Sequence, residues 1–174
     1  RPSTTKQAPI VLSRVPRDAE TTERYAEGAP PVRQLRLLTW GLVPSWEKDL
    51  KGGAKLINAR SETLAERRSF AKAFQARRCL VPADGFYEWA PDRTPHFVRR
   101  LDGRPMLFAG LWEGWKDPQS QEWVRTFTIV TADAVERLRP IHHRMPVMLE
   151  PEQWPAWLGE EPAVRDLHDD AAIE

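Results

Sequence analysis

Apolar and polar positions along this chain change rhythm every few residues, and most of the apolar runs are too short for helices. Ala8-Pro9-Ile10-Val11-Leu12 reads as a strand, and 16–34 as a polar loop containing prolines. Residues 35–43 (LRLLTWGLV) form an apolar strand ended by Pro44, and a charged loop over 48–55 leads into a short extended segment, 56–60. Thr63-x-x-Glu66 has the form of a capping box, with Ser69 as a second cap, and Phe70, Ala73 and Phe74 share one helical face. Two short extended runs follow, 79–82 and 85–89, joined near a turn at Asp84-Gly85. The strongest turn signal, Asp102-Gly103, predicts a hairpin between 96–100 and 105–112. Beyond it come a strand over 123–131, a short helix opened by Asp133-x-x-Glu136 and stopped by Pro140, and a strand over 145–149. A helix over 151–158 is closed by Gly159, and the acidic end reads as a frayed helix. Strands and helices mix without βαβ spacing. The expectation is therefore one α+β domain over 1–174, a mainly antiparallel, curled or barrel-like sheet with short peripheral helices.

Composition narrows this picture. Sixteen prolines and eight tryptophans fit short strands, turns and aromatic packing rather than a long-helix bundle. No apolar run approaches ~20 residues, so a soluble, non-membrane protein is expected. The single cysteine, Cys79, excludes an internal disulfide and a Cys-rich zinc site, and it fits a reducing, cytoplasmic setting. Followed by Leu-Val-Pro, Cys79 reads as a small buried hydrophobe rather than a nucleophile. The net charge of +1 hides an asymmetry: residues 150–174 hold eight acids against Arg165 alone, a net of −7, which leaves +8 on 1–149. A basic body permits a nucleic-acid partner without requiring one.

Candidate chemistry begins at Glu88, a carboxylate flanked by Phe86, Tyr87, Trp89 and Ala90. It lies either at a solvent edge or in a desolvated pocket. Desolvation would favour its neutral form and suit it to proton transfer near neutral pH. If 56–60 is extended, Asn58 and Arg60 share a face; if 141–146 is extended, His142 and Arg144 share one while His143 points away. A guanidinium beside a proton-transfer group suits an anionic, phosphate-bearing substrate. The plainer alternatives are a turn or cap role for Asn58 and a hydrogen-bonded sheet-edge role for His142. Adjacent histidines on a strand diverge, so no metal is expected. Trp40, Trp46, Trp89, Trp112, Trp115 and Trp123 are read as core or hairpin packing ahead of base stacking.

Four ordered blocks carry a resemblance: Trp40-Gly41-Leu42-Val43-Pro44-Ser45-Trp46, Asn58-Ala59-Arg60-Ser61-Glu62-Thr63, Arg78–Trp89, and Ile141-His142-His143-Arg144-Met145-Pro146. In this order they resemble the signature blocks of the SRAP family, the SOS-response-associated peptidases, also called abasic-site processing proteins. The resemblance runs to about residue 158. It implies a DNA-repair protein, cytoplasmic or nucleoid-associated, acting as a monomer on single-stranded DNA with no cofactor. In that family an N-terminal cysteine, exposed by removal of the initiator methionine, captures a ring-opened abasic sugar. The amine forms a Schiff base and the thiol closes a thiazolidine. An α-amine with a pKa of about 7.7–8 is substantially neutral at cellular pH, so the chemistry is reasonable.

Carried across, the resemblance makes Asn58 the residue that orients the N-terminus, Glu88 the proton shuttle and His142 its assistant. Arg60, Arg68 and Arg144 become phosphate contacts, Thr131 a polar backbone contact, and Trp46 an aromatic near the strand. On this resemblance the family's Cys-Gly-Arg opening lies upstream of Arg1, so the nucleophile is not among these residues. Cys79 does not replace it, since it lies in a central block rather than at an α-amine. The family's C-terminal block, a segment containing valine and asparagine after the last helix, is not seen either. The expectation is a piece of a longer protein. The alternatives are a DNA-binding module without covalent chemistry, or a small-molecule or peptide hydrolase using Glu88 and His142.

Overall fold

Alternation along one central strand, β4 (Arg78–Ala83), separates the two cores of the protein. Cys79 and Val81 pack with Ile10, Leu12, Leu38, Phe108 and Phe127, whereas Leu80 packs with Ala109, Leu111, Phe70, Ala73, Trp157 and Leu158. Side chains two apart on a strand face the same way, so one set fills the inside of a curled sheet and the other its outside. The computed structural model describes residues 6–15 and 30–160. Its other strands are β1 (Gln7–Arg14), β2 (Val32–Trp40), β3 (Asn58–Arg60), β5 (Phe86–Trp89), β6 (Pro95–Val98), β7 (Met106–Lys116), β8 (Trp123–Asp133) and β9 (Arg144–Pro146). The helices are α1 (Ala71–Ala76) and α2 (Trp154–Leu158).

The sheet runs β2-β1-β4-β7-β8, with antiparallel neighbours throughout, and β2 returns to β8 in parallel through Thr39↔Thr126 and Trp40↔Phe127. That last pairing closes a five-stranded barrel, as the curled-sheet expectation required. An isolated helix shorter than about 12–15 residues is marginal in water. The two helices, of six and five residues, therefore stand only because Ala73, Trp157 and Leu158 bury against the barrel wall. Cys79 is fully buried, and burial pushes its thiol well above the ordinary range, as expected of a core side chain. Among the described residues no helix is long and apolar enough to cross a membrane.

Several expected elements differ. The Asp102 turn forms, with Gly103 at φ 72 and the Asp102 carboxylate accepting from Arg100 and Arg104, but it does not close a hairpin. Instead β6 pairs with β5 (Tyr87↔Phe97, Glu88↔His96), and the reversal lies at 90–94, where Asp92 accepts from the Thr94 amide. β7 is apolar on both faces and takes β4 and β8 as neighbours, which leaves β6 to form a two-stranded ribbon.

The Thr63 capping box does not form. Among the described residues Thr63 Oγ1 is buried without a partner, and the helix starts only at Ala71 with no side-chain cap. Turns replace the helix expected after Asp133, because Asp133 stays in β8 opposite Arg144. The strand expected over 145–149 is β9, displaced to 144–146, with 147–149 wedged between β7 and β8: Val147 donates to the Val130 carbonyl and accepts from Ala109. The 16–34 loop up to residue 29 and the helix expected at the acidic end lie outside the described residues.

Candidate nucleic-acid interface

The wedge opens β8 on both edges around Thr131, and this is where the candidate residues meet. β3 lies parallel to β8 on one edge, with Asn58↔Ile129 and Arg60↔Thr131, and β9 pairs on the other, with Thr131↔Pro146. Within β3, Ala59 is buried while Asn58 and Arg60 point outward together, as an extended segment dictates. Three main-chain carbonyl contacts anchor the approach to β3. Trp40 Nε1 donates to the Ile57 carbonyl at 2.9 Å, the Ile129 amide to the same oxygen at 3.1 Å, and the Leu42 amide to Leu56 at 3.1 Å.

The β5–β6 ribbon brings in Glu88. Phe86 packs edge-on against Phe108 at 5.9 Å and ties the ribbon to the barrel, and Glu88 shares that inner face. Tyr87 and Trp89 face solvent on the other side. The Glu88 side chain is 26% exposed, between the solvent edge and the closed pocket that local sequence left open.

His142 meets it with Nδ1 3.9 Å from Glu88 Oε1. The residue sits on a turn, its amide bonded to the Leu138 carbonyl, and not on a strand. Its Nδ1 lies 3.1 Å from the Arg144 amide and 3.0 Å from the Arg144 carbonyl. Neutral with the proton on Nε2, the ring accepts from that amide; doubly protonated, it donates from Nδ1 to that carbonyl. One backbone residue thus serves both states, which suits a ring that passes protons.

His143 does not point away. The two rings lie 4.6 Å apart, tilted by 33°, and both face the same cleft. Strand alternation does not apply to residues on a turn, which is why the expected divergence fails.

Asn58, Glu88 and His142, from three distant segments, line one open cleft of about 360 Å³ together with Arg60, Thr131 and Arg144. Arg67 and His143 also line it, and no periodicity in the sequence marks either; the only local signal for Arg67 is that it adjoins Arg68. Arg68 and Trp46 do not line it. They stack on each other, the guanidinium carbon 4.6 Å from the ring centroid.

Arg144 is heavily engaged. It donates to Glu62 at 2.7 and 3.1 Å, to Asp133 at 2.7 Å and to the Thr131 carbonyl at 2.6 Å. The Arg144 hydrogen bonds hold the Glu62 carboxyl down at about 2, against an ordinary 4.5. A depressed carboxylate stabilises the fold above its ordinary pKa and loses that contribution as pH falls through the folded value. The difference in melting temperature between wild type and Glu62→Gln should therefore be constant above about pH 4.5 and shrink as the pH approaches 2. A constant difference down to pH 2 would mean that the pair contributes nothing through ionisation.

Residues 3–172 match the SRAP family, described as SOS response associated peptidase. The chain belongs to the SRAP family. SRAP relatives include the abasic site processing protein YoqW of Bacillus subtilis, 43% identical over 130 residues, which cover 72% of this chain and 58% of that protein. The abasic site processing protein HMCES of Gallus gallus is 34% identical over 184 residues, covering 88% of this chain and 52% of its own length. The chain thus spans between half and three-fifths of these SRAP relatives. A crystal structure of a protein from Bacteroides thetaiotaomicron superposes with a TM-score of 0.74 at 25% identity, over 92% of this chain and 66% of that one.

Proposed function

We propose that this chain is the core of an abasic-site processing protein that binds single-stranded DNA and holds a ring-opened abasic sugar for covalent capture. The observation that carries the reading is the convergence of Asn58, Glu88 and His142 in one cleft rimmed by arginines. The names of the relatives, abasic site processing proteins, support it. In this reading the complete protein supplies an N-terminal cysteine. Its amine attacks the C1′ aldehyde, the carbinolamine loses water as Glu88 delivers a proton to the departing oxygen, and an imine results. The thiol then adds to the imine carbon and its proton passes to the nitrogen, closing a thiazolidine with no oxidant or reductant required. Asn58 orients the amine, and His142 reloads Glu88 across the short gap between them. The same pair serves hydrolytic removal of the initiator methionine.

The test uses the complete protein with its cysteine first. Incubated with a single-stranded oligonucleotide bearing one abasic site, it should form an adduct that survives denaturant, and none with the intact oligonucleotide. Salt-sensitive binding with no adduct would reduce the protein to a non-covalent DNA-binding module. Hydrolysis of an uncharged substrate that is indifferent to Arg60→Ala would point to the hydrolase reading instead.

A further inference from the structure

We propose that Arg67 is a phosphate-contacting residue of the cleft, acting with Arg60; this rests on the reading of the cleft as a single-stranded DNA site. Three guanidinium groups line the cleft: Arg60, Arg67 and Arg144. They are not equivalent. Arg144 is matched by Glu62 and Asp133 and tied to the Thr131 carbonyl, with its side chain only 14% exposed. It braces β8, β9 and the turn after β3, and two carboxylates offset its charge before any ligand arrives. The Arg60 and Arg67 side chains have no hydrogen bond or ion pair among the described residues, and both residues are exposed. Arg68, next in the chain, lies over the Trp46 ring.

The field an entering phosphate meets therefore comes chiefly from Arg60 and Arg67, opposed within the cleft lining by Glu88 alone. A free arginine at a surface is ordinarily just a solvated charge. Two features set Arg67 apart. It shares the lining with the proton-transfer residues, and its backbone is held in place: its carbonyl accepts from both the Phe70 and Ala71 amides at 2.8 Å, and Phe70 is 1% exposed. A guanidinium on a fixed backbone loses less freedom when it forks onto a phosphate than one on a loose loop.

The test is the salt dependence of binding, measured by fluorescence anisotropy with labelled single-stranded oligonucleotides of several sequences and the full-length protein. Each phosphate neutralised on a single strand contributes about 0.7 to the slope of log affinity against log salt. Arg67→Ala should flatten the slope by about that amount and weaken all sequences alike, Arg60→Ala should do the same, and the double variant about twice as much. Arg67→Lys should restore the slope, since the charge returns, while its melting temperature and that of Arg67→Ala stay at the wild-type value. A wild-type slope in Arg67→Ala, or no restoration by lysine, overturns the inference while leaving the DNA-binding reading intact. A wild-type protein that binds no oligonucleotide at low salt overturns both.

Discussion

Glu88→Gln in the complete protein is expected to slow adduct formation with abasic single-stranded DNA by about 10²- to 10⁴-fold, the usual contribution of a positioned general acid–base. Affinity for the same strand should not fall, since the only charge removed is the carboxylate that opposes an entering phosphate. The amide preserves the shape and the hydrogen-bonding reach of the carboxylate, and Phe86 still pins the ribbon to Phe108, so proton transfer is removed without displacing the site. Glu88 is the one carboxylate among the described residues lining the cleft, so no neighbour there can take over. A quenched time course on denaturing gels, beside anisotropy, separates rate from affinity. Equal capture rates in the two proteins would end the proton-shuttle role. A parallel loss of affinity would instead make Glu88 a binding group.

Gly41→Ala is expected to cost about 2–6 kcal/mol, from roughly 1–3 for an unfavourable backbone conformation and roughly 1–3 for overpacking. Gly41 has φ +111, and a Cβ there would stand 2.6 Å from the Gly53 carbonyl oxygen, while a Cβ on Gly53 would stand 2.5 Å from the Gly41 oxygen. Neither neighbour is a side chain that can swing away; both are backbone. Gly103→Ala is the control, since Gly103 also has positive φ (+72) but a Cβ there meets nothing within 4 Å. Chemical denaturation should show Gly41→Ala losing clearly more than Gly103→Ala, which carries strain alone. Equal losses would remove the close-approach account. The effect should reach function, because the Leu42 amide, next after Gly41, bonds to the carbonyl of Leu56, two residues before β3 begins. A shift there displaces Asn58 and Arg60, and capture should fall more than stability alone predicts.

The particular successes and failures of sequence reading follow one rule of range. Asn58 and Arg60 were legible as a pair because alternation along an extended segment is a property of adjacent residues. Cys79 was legible as core because its neighbours are apolar whatever strand pairs with them. The Asp102 turn was legible too, since its own carboxylate and Gly103 build it. Its hairpin was not. Turn chemistry says that a chain reverses, while pairing depends on which neighbours bury more surface, and β7 buries both faces against β4 and β8.

The same limit governs the cleft. His143 turned inward because a turn, held by Leu138 and Arg144, replaced the strand that would have pointed it away. Arg144 and Arg67 are both arginines in basic surroundings, yet one is occupied by Glu62 and Asp133 and the other is not. By itself the sequence determined the family and the curled α+β architecture, because these are written in local pattern and ordered blocks. Only the tertiary structure decided which charges remain available and which side chains share a cleft, because electrostatic pairing and convergence arise between segments that are distant in the chain and adjacent in space.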